Sequence, residues 1–535
     1  MADALQGDRR RAPDARAWIG EHGWEVALFS AAAGVLCALI FGTLVADSDL
    51  WGHVRFGQLI LAEGLPEVDP YAYTSSGHPW INHEILSEIV SGWAYTRFGA
   101  VGLQLVRYVV IGAVVVLVWR EFAITGLGAA GGALGTALVV SGMSAGLATI
   151  RPHLFTYLFF LVVLLCLVRV DEPRRRWTGW LVPAVVAVWI NFHGGVLAGV
   201  GVVGLWWLGE GASWRLGWSD SAPFRRSTLV LGASLLALLV NPYGPELPIF
   251  LVDTATEARP FITEWRSVAT HPPTLFVWAA LTATGLWLAI RAGRGLRLSH
   301  GLVLGVLAFL PLLAIRHMPL YALAWGVLLA RHVPDVVGRL RRRRRERLEA
   351  GTFRLAPEAL LVGVGVLAGA SGFVVAAERG SFPCIPVDTR EAEVTPVPRE
   401  AVGVLWRSGV RGDLATPFNW GEYVIWHLGP DVQVGMDGRR ETVYPDSVYR
   451  DFRSFRAGVG DWHAWLAKYG ADMALVEAGS PPDNLLALKG GWREVHRSGR
   501  SALYGREGWA GTGRIAAVPP EGAADGGARC FPAAP

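Results

Sequence analysis

Residues 47–88 read DSDLWGHVRFGQLILAEGLPEVDPYAYTSSGHPWINHEILSE, and this polar stretch follows directly on the first apolar run, residues 26–46. Asp47 and Asp49 stand where the chain leaves that run, and a second polar knot, Asn82-His83-Glu84, follows a turn containing Gly and Pro. A loop with this many ionisable groups beside apolar segments is a place for chemistry before it is a connector. Within it, Leu50 to Leu61 and Glu84 to Tyr95 carry apolar residues at helical spacing. That spacing predicts two amphipathic helices lying on a membrane surface, with His83 and Glu84 at the start of the second.

The rest of the chain explains why such a loop needs a membrane. Of 535 residues, 52% are hydrophobic and 18% charged, with a mean hydropathy of +0.35. Those values predict a polytopic membrane protein and exclude an ordinary soluble enzyme. Further apolar runs lie near 100–119, 127–149, 152–170, 177–190, 194–209, 227–241, 274–290, 300–315, 318–333 and 357–377. With the first run they predict about eleven spans, several shorter than the ~20 residues of a full crossing. Alternate loops are arginine-rich, from Arg9-Arg10-Arg11 through Arg174 to Arg176 and Arg225-Arg226 to the block from Arg339 to Arg347. By the positive-inside rule these loops and the N-terminus are cytoplasmic. The run from Arg341 to Arg345 therefore reads as an anchor to anionic lipid rather than a nucleic-acid contact. Most of the 24 Trp residues are expected in interfacial belts.

Loops of the opposite parity carry motifs instead: 47–88, Arg151-Pro152-His153, Asn191-Phe192-His193-Gly194-Gly195, Asn241-Pro242-Tyr243-Gly244 and Arg316-His317-Met318-Pro319. After about Ala377 the composition turns to mixed polar and apolar with Pro, Gly and Trp, which predicts a water-soluble domain, extracytoplasmic by parity. The expected layout is a disordered cytoplasmic arm (1–24), a membrane domain (25–378) with its first outer loop at 47–99, a small α/β domain (379–510) and a flexible tail (511–535). Strands are expected at Glu422 to His427, Val432 to Met436 and Asp472 to Val476, and helices at Arg399 to Arg407 and Asp461 to Tyr469. Outside the cytoplasm, Cys384 and Cys530 are able to form a disulfide that pins the tail; the alternative is two unpaired thiols.

Asp47 and Asp49 face the same way if the backbone is extended, and then suit a divalent cation with a substrate phosphate, or a general base beside an attacking hydroxyl. Asp49 equally suits the N-cap of a helix from Leu50. Arg151, His153, His193, Arg316 and His317 gather at span ends on the outer side, where an arginine fork matches phosphate oxygens; the structural alternative is snorkelling arginines and satisfied histidines. Gly421-Glu422-Tyr423 and Asp437-Gly438-Arg439-Arg440 read as structural, the second as a turn. The sequence holds no Walker motif, dinucleotide fingerprint, zinc cluster or nucleophile elbow.

A first span followed by Asp-x-Asp, an amphipathic helix, a His-containing knot and a second surface helix resembles the GT-C class of membrane glycosyltransferases. Arg-Pro-His, Asn-Pro-Tyr-Gly, Arg-His-Met-Pro and the tail segments at Trp420-Gly421 and Asp437-Gly438-Arg439 look like those of a bacterial branch of that class. The resemblance implies an all-α polytopic bundle with a small C-terminal α/β domain, set in the bacterial cytoplasmic membrane with the tail outside. It implies transfer of a hexosyl or pentosyl group from a polyprenyl-phosphate sugar to a glycan, lipid or protein acceptor. On that basis Asp47 and Asp49 take the catalytic or metal role, with Mg or Mn as the possible ion. His83 and Glu84 support the acceptor side, while Arg151 and Arg316 bind phosphate, with His153, His193 and His317 beside them. The tail lacks a Trp-Trp-Asp signature, which speaks against en bloc transfer to asparagine, and His-Glu stands where other branches have His-Pro-Pro. A lipid-linked saccharide flippase and a non-catalytic glycan-binding scaffold are the competing readings.

Overall fold

The structure is a computed structural model that describes residues 15–125, 128–170, 172–256, 263–292, 295–333, 358–379, 382–387, 397–519 and 530–535. The arginine runs at 9–11 and 339–347 lie outside the described residues. The helices up to the tail are α1 (Ala15–Phe41), α2 (Leu50–Glu63), α3 (Ile85–Ile124), α4 (Gly128–Leu147), α5 (His153–Arg169), α6 (Leu181–Trp189), α7 (Val196–Arg215), α8 (Ser221–Ala237), α9 (Glu246–Thr256), α10 (Pro272–Ala292), α11 (Leu298–Leu313), α12 (Met318–Ala330) and α13 (Glu358–Arg379). α1 begins inside the stretch expected as a disordered arm.

Four described helices are long and apolar enough to cross a membrane: Ile85–Ile124, Ala129–Leu147, Val196–Arg215 and Pro272–Arg291. Four shorter apolar helices, Ala27–Phe41, His153–Arg169, Leu298–Leu313 and Ile315–Ala330, accompany them. The expected surface helix and the run near 100–119 form one element, α3, kinked at Gly99 with φ 61° and ψ −149°. That backbone shape is one glycine adopts readily, and it lets the chain turn from loop helix to span without a break.

The chain divides into two compact units, Met1–Thr43 with Ala113–Ala145 and Phe261–Gly380, and Leu44–Gly112 with Gly146–Pro260 and Ser381–Pro535. In the first, α12 is buried along its whole length and shares a hydrogen bond with α10 through Tyr321 and Thr282 at 3.1 Å. An uninterrupted apolar sequence is what such a central helix requires.

The second unit is built on a five-stranded sheet of order β2-β1-β3-β5-β4. Its strands are β1 (Gly412–Ala415), β2 (Val432–Val434), β3 (Met473–Glu477), β4 (Trp492–Arg497) and β5 (Ser501–Arg506). β1 runs parallel to β2 and β3, with Leu414 opposite Val434 and Met473, whereas β5 lies antiparallel to both β3 and β4. Residues 422–427, expected as a strand, form instead the helix Gly421–Leu428. Five consecutive residues of that helix, Gly421 to Ile425, are buried, so the alternation of a half-exposed element is missing from its sequence.

Loop and tail are joined rather than merely adjacent. The Val434 N–H donates to the Tyr71 carbonyl at 2.8 Å, the Thr74 hydroxyl to the Gly435 carbonyl at 2.8 Å, and Gln433 Nε2 to the Pro70 carbonyl at 3.1 Å. The apolar face of α2 consequently meets protein: Trp51 packs edge-on to Tyr423 at 5.4 Å, and Phe56 edge-on to Trp80 at 5.3 Å. This corrects the expectation of a helix lying on lipid. Across its other side α2 meets α3 at Gly57 and Gly92, where a Cβ on Gly57 would stand 1.8 Å from the Glu88 carbonyl oxygen.

Two described parts of the stretch expected as a loose tail, 511–519 and 530–535, are packed. Ala510–Ala516 is helical, and Cys384 and Cys530 form a disulfide. Trp51 Nε1 donates to the Pro532 carbonyl at 2.8 Å and the Tyr423 hydroxyl to the Ala533 carbonyl at 2.7 Å. Phe531 fills the space among Trp51, Tyr95 and Trp426, so apolar burial holds what its Gly-Ala-Pro composition would leave free.

Candidate active site

The chain leaves the first apolar run, turns at Ser48-Asp49 and enters α2 at Leu50. Inside that turn the Asp47 carboxylate accepts the Asp49 N–H at 3.1 Å, and Asp49 makes no side-chain cap bond to the helix it precedes. Both carboxylates instead converge on one guanidinium. Arg151 Nη2 contacts Asp47 Oδ2 and lies 2.7 Å from Asp49 Oδ2. Arg151 precedes α5, so the connection before that helix delivers the counter-charge to the first loop.

The tail closes the other side of this cluster. Glu422 accepts the Gly52 N–H at 3.0 Å, and a Cβ on Gly438 would come within 2.5 Å of Glu422 Oε1 and 2.9 Å of Asp49 Oδ1. Glycine at 438 is therefore a steric requirement of the acidic pocket. Burial, reinforced by the negative charges of Asp49 and Asp437, pushes the Glu422 carboxyl well above the ordinary carboxylate range. Burial raises Asp47 as well, and Arg151 opposes it.

Beside this pair lies a knot of imidazoles and carboxylates. His53 Nδ1, one turn along α2 from Asp49, is 3.6 Å from Glu84 Oε2 and 3.8 Å from Glu88 Oε1. The second oxygen of Glu84 faces His83 Nε2 at 3.5 Å and His193 Nε2 at 3.8 Å. Asn82 organises the knot: its Nδ2 donates to Glu88 Oε2 at 2.6 Å and its Oδ1 accepts the Glu84 N–H at 2.9 Å. Desolvation pulls the His53 imidazole down, but hydrogen bonding to Glu88 and the charges of Glu84, Glu88 and Asp49 outweigh it and lift it to about 9. Glu84 is raised to about 7, mainly by desolvation, with His53 opposing. Asp49 acts on both groups, which makes the Asp pair and the knot one electrostatic site.

The remaining expected residues separate. The Gly195 N–H donates to His193 Nδ1 at 2.9 Å, so that nitrogen is an acceptor and Nε2 carries the proton toward Glu84. His153 Nε2 donates to the Gly146 carbonyl at 2.7 Å. Arg316 and His317 belong to the first unit, where Arg316 lies 4.6 Å over the Trp265 ring and 3.7 Å from Glu264. His53, Glu88, Glu422 and Gly438 were not anticipated as site residues. Helical spacing held a signal for two of them: His53 follows Asp49 by four residues and Glu88 follows Glu84 by four.

A metal on Asp47 and Asp49 fits poorly, because Arg151 already meets both charges. Among the described residues, the set offering three ligand atoms within 4.8 Å of one another is His53, Glu84 and Glu88.

No protein-family model matches the chain, and no curated protein matches it in sequence. Solved structures do. The archaeal oligosaccharyltransferase AglB from Archaeoglobus fulgidus, in complex with an inhibitory peptide and a dolichol-phosphate, aligns with a TM-score of 0.55 over 92% of this chain and 75% of its own, at 11% identity. ArnT from Cupriavidus metallidurans, bound to undecaprenyl phosphate, aligns at 0.50 over 90% of this chain and 98% of its own, at 16% identity. The chain has the GT-C glycosyltransferase fold. The arabinofuranosyltransferase AftD from Mycobacteria extends the comparison, at a TM-score of 0.52 and 16% identity over 92% of this chain and 42% of its own. Within this GT-C fold the Asp pair, Arg151 and the imidazole knot all belong to the second compact unit.

Proposed function

We propose that this protein is a membrane glycosyltransferase that moves a hexosyl or pentosyl group from a polyprenyl-phosphate donor to a glycan, lipid or protein acceptor of the cell envelope. The reaction takes place on the outer side of the bacterial cytoplasmic membrane, with the N-terminus in the cytoplasm and the residue 379–510 region outside. The Cys384–Cys530 disulfide supports that placement, since such bonds persist in oxidising compartments.

The observation that carries this reading is the Asp47–Arg151–Asp49 cluster, whose side chains keep 13%, 24% and 23% of their surface. A carboxylate of this pair takes the proton of the attacking acceptor hydroxyl. Arg151 opposes the rise that burial imposes on Asp47 and meets the donor phosphate as charge develops on it. The leaving group is already a phosphate, so positioning and charge balance supply most of the catalysis. His83 and Glu84 stand on the acceptor side, and His193 turns its Nε2 toward Glu84 at 3.8 Å. Arg316 with His317 is retained as a further phosphate-binding pair; His153, tied to a backbone carbonyl, serves the local fold instead.

The test uses purified full-length protein in lipid nanodiscs with a panel of radiolabelled polyprenyl-phosphate sugars, following release of free polyprenyl phosphate. Donor turnover by the wild type and its loss in D47N/D49N supports the assignment; equal turnover in both contradicts it.

A further inference from the structure

We propose that His53, Glu84 and Glu88 form a first-row transition-metal site, separate from the Asp47/Asp49 pair. The inference stands independently of the transfer reading. Its first support is distance. His53 Nδ1 is 3.6 Å from Glu84 Oε2 and 3.8 Å from Glu88 Oε1. Ligand bonds of about 2.0–2.2 Å in a tetrahedron set ligand atoms roughly 3.4 Å apart, so a small inward movement closes the three around one ion.

The second support is the way each ligand is held. Glu88 has one oxygen fixed by Asn82 at 2.6 Å and turns the other to His53. Glu84 has one oxygen against the Nε2 atoms of His83 and His193 and turns the other to His53. His193 is itself oriented, with Nδ1 accepting from the Gly195 N–H at 2.9 Å and lying 2.9 Å from the Thr156 hydroxyl, whose oxygen accepts the Trp189 indole N–H at 3.0 Å. Glu88, with one oxygen anchored and the other aimed at His53, is arranged as an outer shell arranges a metal ligand, and Glu84 turns its free-side oxygen to the same point. His53 Nδ1 is buried and faces both carboxylates, and an ion binding there takes the place of its proton.

The third support is the contrast in counter-ions. Asp47 and Asp49 meet a guanidinium directly, whereas Glu84 and Glu88 lie against imidazoles, with the Arg151 charge reaching Glu84 from farther away. One imidazole and two carboxylates select Zn, Mn, Fe or Co over Ca and Mg, which prefer oxygen alone. The site is on α2, the start of α3 and the residue before it, so an ion there staples the first loop beside the Asp pair.

The experiment measures binding of Zn²⁺ or Co²⁺ alone to tag-free, chelator-stripped full-length protein in nanodiscs, by calorimetry and by elemental analysis after desalting. One equivalent per chain is expected. Affinity should fall about 100-fold or more in H53A and E88Q and about 10–100-fold in N82A, and far less in D47N/D49N, whose charges reach the ligands only through space. Spin-echo modulation from an imidazole nitrogen on the Cu²⁺-loaded wild type gives a readout that needs no variant to fold. The proposal is overturned by absence of stoichiometric binding, by absence of the imidazole signal, or by binding that disappears in D47N/D49N and persists in H53A.

Discussion

The second compact unit contains two clusters of identical composition, each an arginine between two aspartates, and they differ in almost everything but chemistry. Arg439 bridges Asp69 of the first loop, at 2.5 Å, to Asp437 of the tail, at 2.6 Å, with side chains only 7%, 1% and 0% exposed. Tyr444 donates to Asp437 at 2.8 Å, and the guanidinium lies 4.2 Å over Phe56 and 4.8 Å over Trp80. Every polar atom of that cluster has a use inside the protein, and aromatic rings seal it from water. Arg151 with Asp47 and Asp49 is left partly open, and its neighbours are titratable groups rather than aromatic rings. Composition does not separate a structural clamp from the site proposed for catalysis; coverage does. A sealed pair costs a great deal to break, while an open one contributes little to stability and is available to a substrate.

The comparison breaks most readily at Arg439. R439L leaves Asp69 and Asp437 buried without a cation, and about 3–5 kcal/mol of stability should be lost. Chemical unfolding of the purified protein would report it, together with protease sensitivity at the loop–tail junction. A change under about 1 kcal/mol would mean that the clamp is no clamp. Next in size is the covalent link between the tail end and the stretch before the sheet. C384S/C530S should cost about 2–4 kcal/mol by thermal unfolding under non-reducing conditions, and reductant should produce the same shift in the wild type and none in the variant.

A third variant probes where clamp and site meet. Gly438 lies between Asp437 and Arg439 in sequence yet touches Asp49 and Glu422 in space. G438A should therefore lower donor turnover about 10–100-fold, through displaced carboxylates, while unfolding shifts far less than in R439L. Turnover and stability falling together would merge the two clusters into one structural element.

The sequence made much of this legible and hid the rest for identifiable reasons. Most of the apolar helices, the motif-bearing loops and the nearness of Asp47 to Asp49 were readable because apolar burial and charge leave periodic or clustered signatures. Residues 422–427 were misread because a fully buried helix has no polar face to show its period. The clamp from Asp69 to Asp437 joins positions 368 residues apart, and no local pattern encodes such a partner. His53 and Glu88 were within reach, since each stands four residues beyond a group already chosen, but neither belongs to a short motif. The fate of the last residues was hidden by composition: Phe531, the one aromatic residue after Trp509, decides where the end packs.

The smallest stability effect belongs to the open cluster, and it carries the most direct test. D47N/D49N, which leaves a part-buried Arg151 without its partners, should cost less stability than R439L. The same protein should release polyprenyl phosphate from labelled donor about 10²–10⁴-fold more slowly than wild type, the range that a lost general base accounts for. Measured side by side on one preparation, a stable protein without turnover is the predicted result. Undiminished donor cleavage in the folded double variant would contradict the assignment of the open Asp-Arg-Asp cluster as the catalytic one.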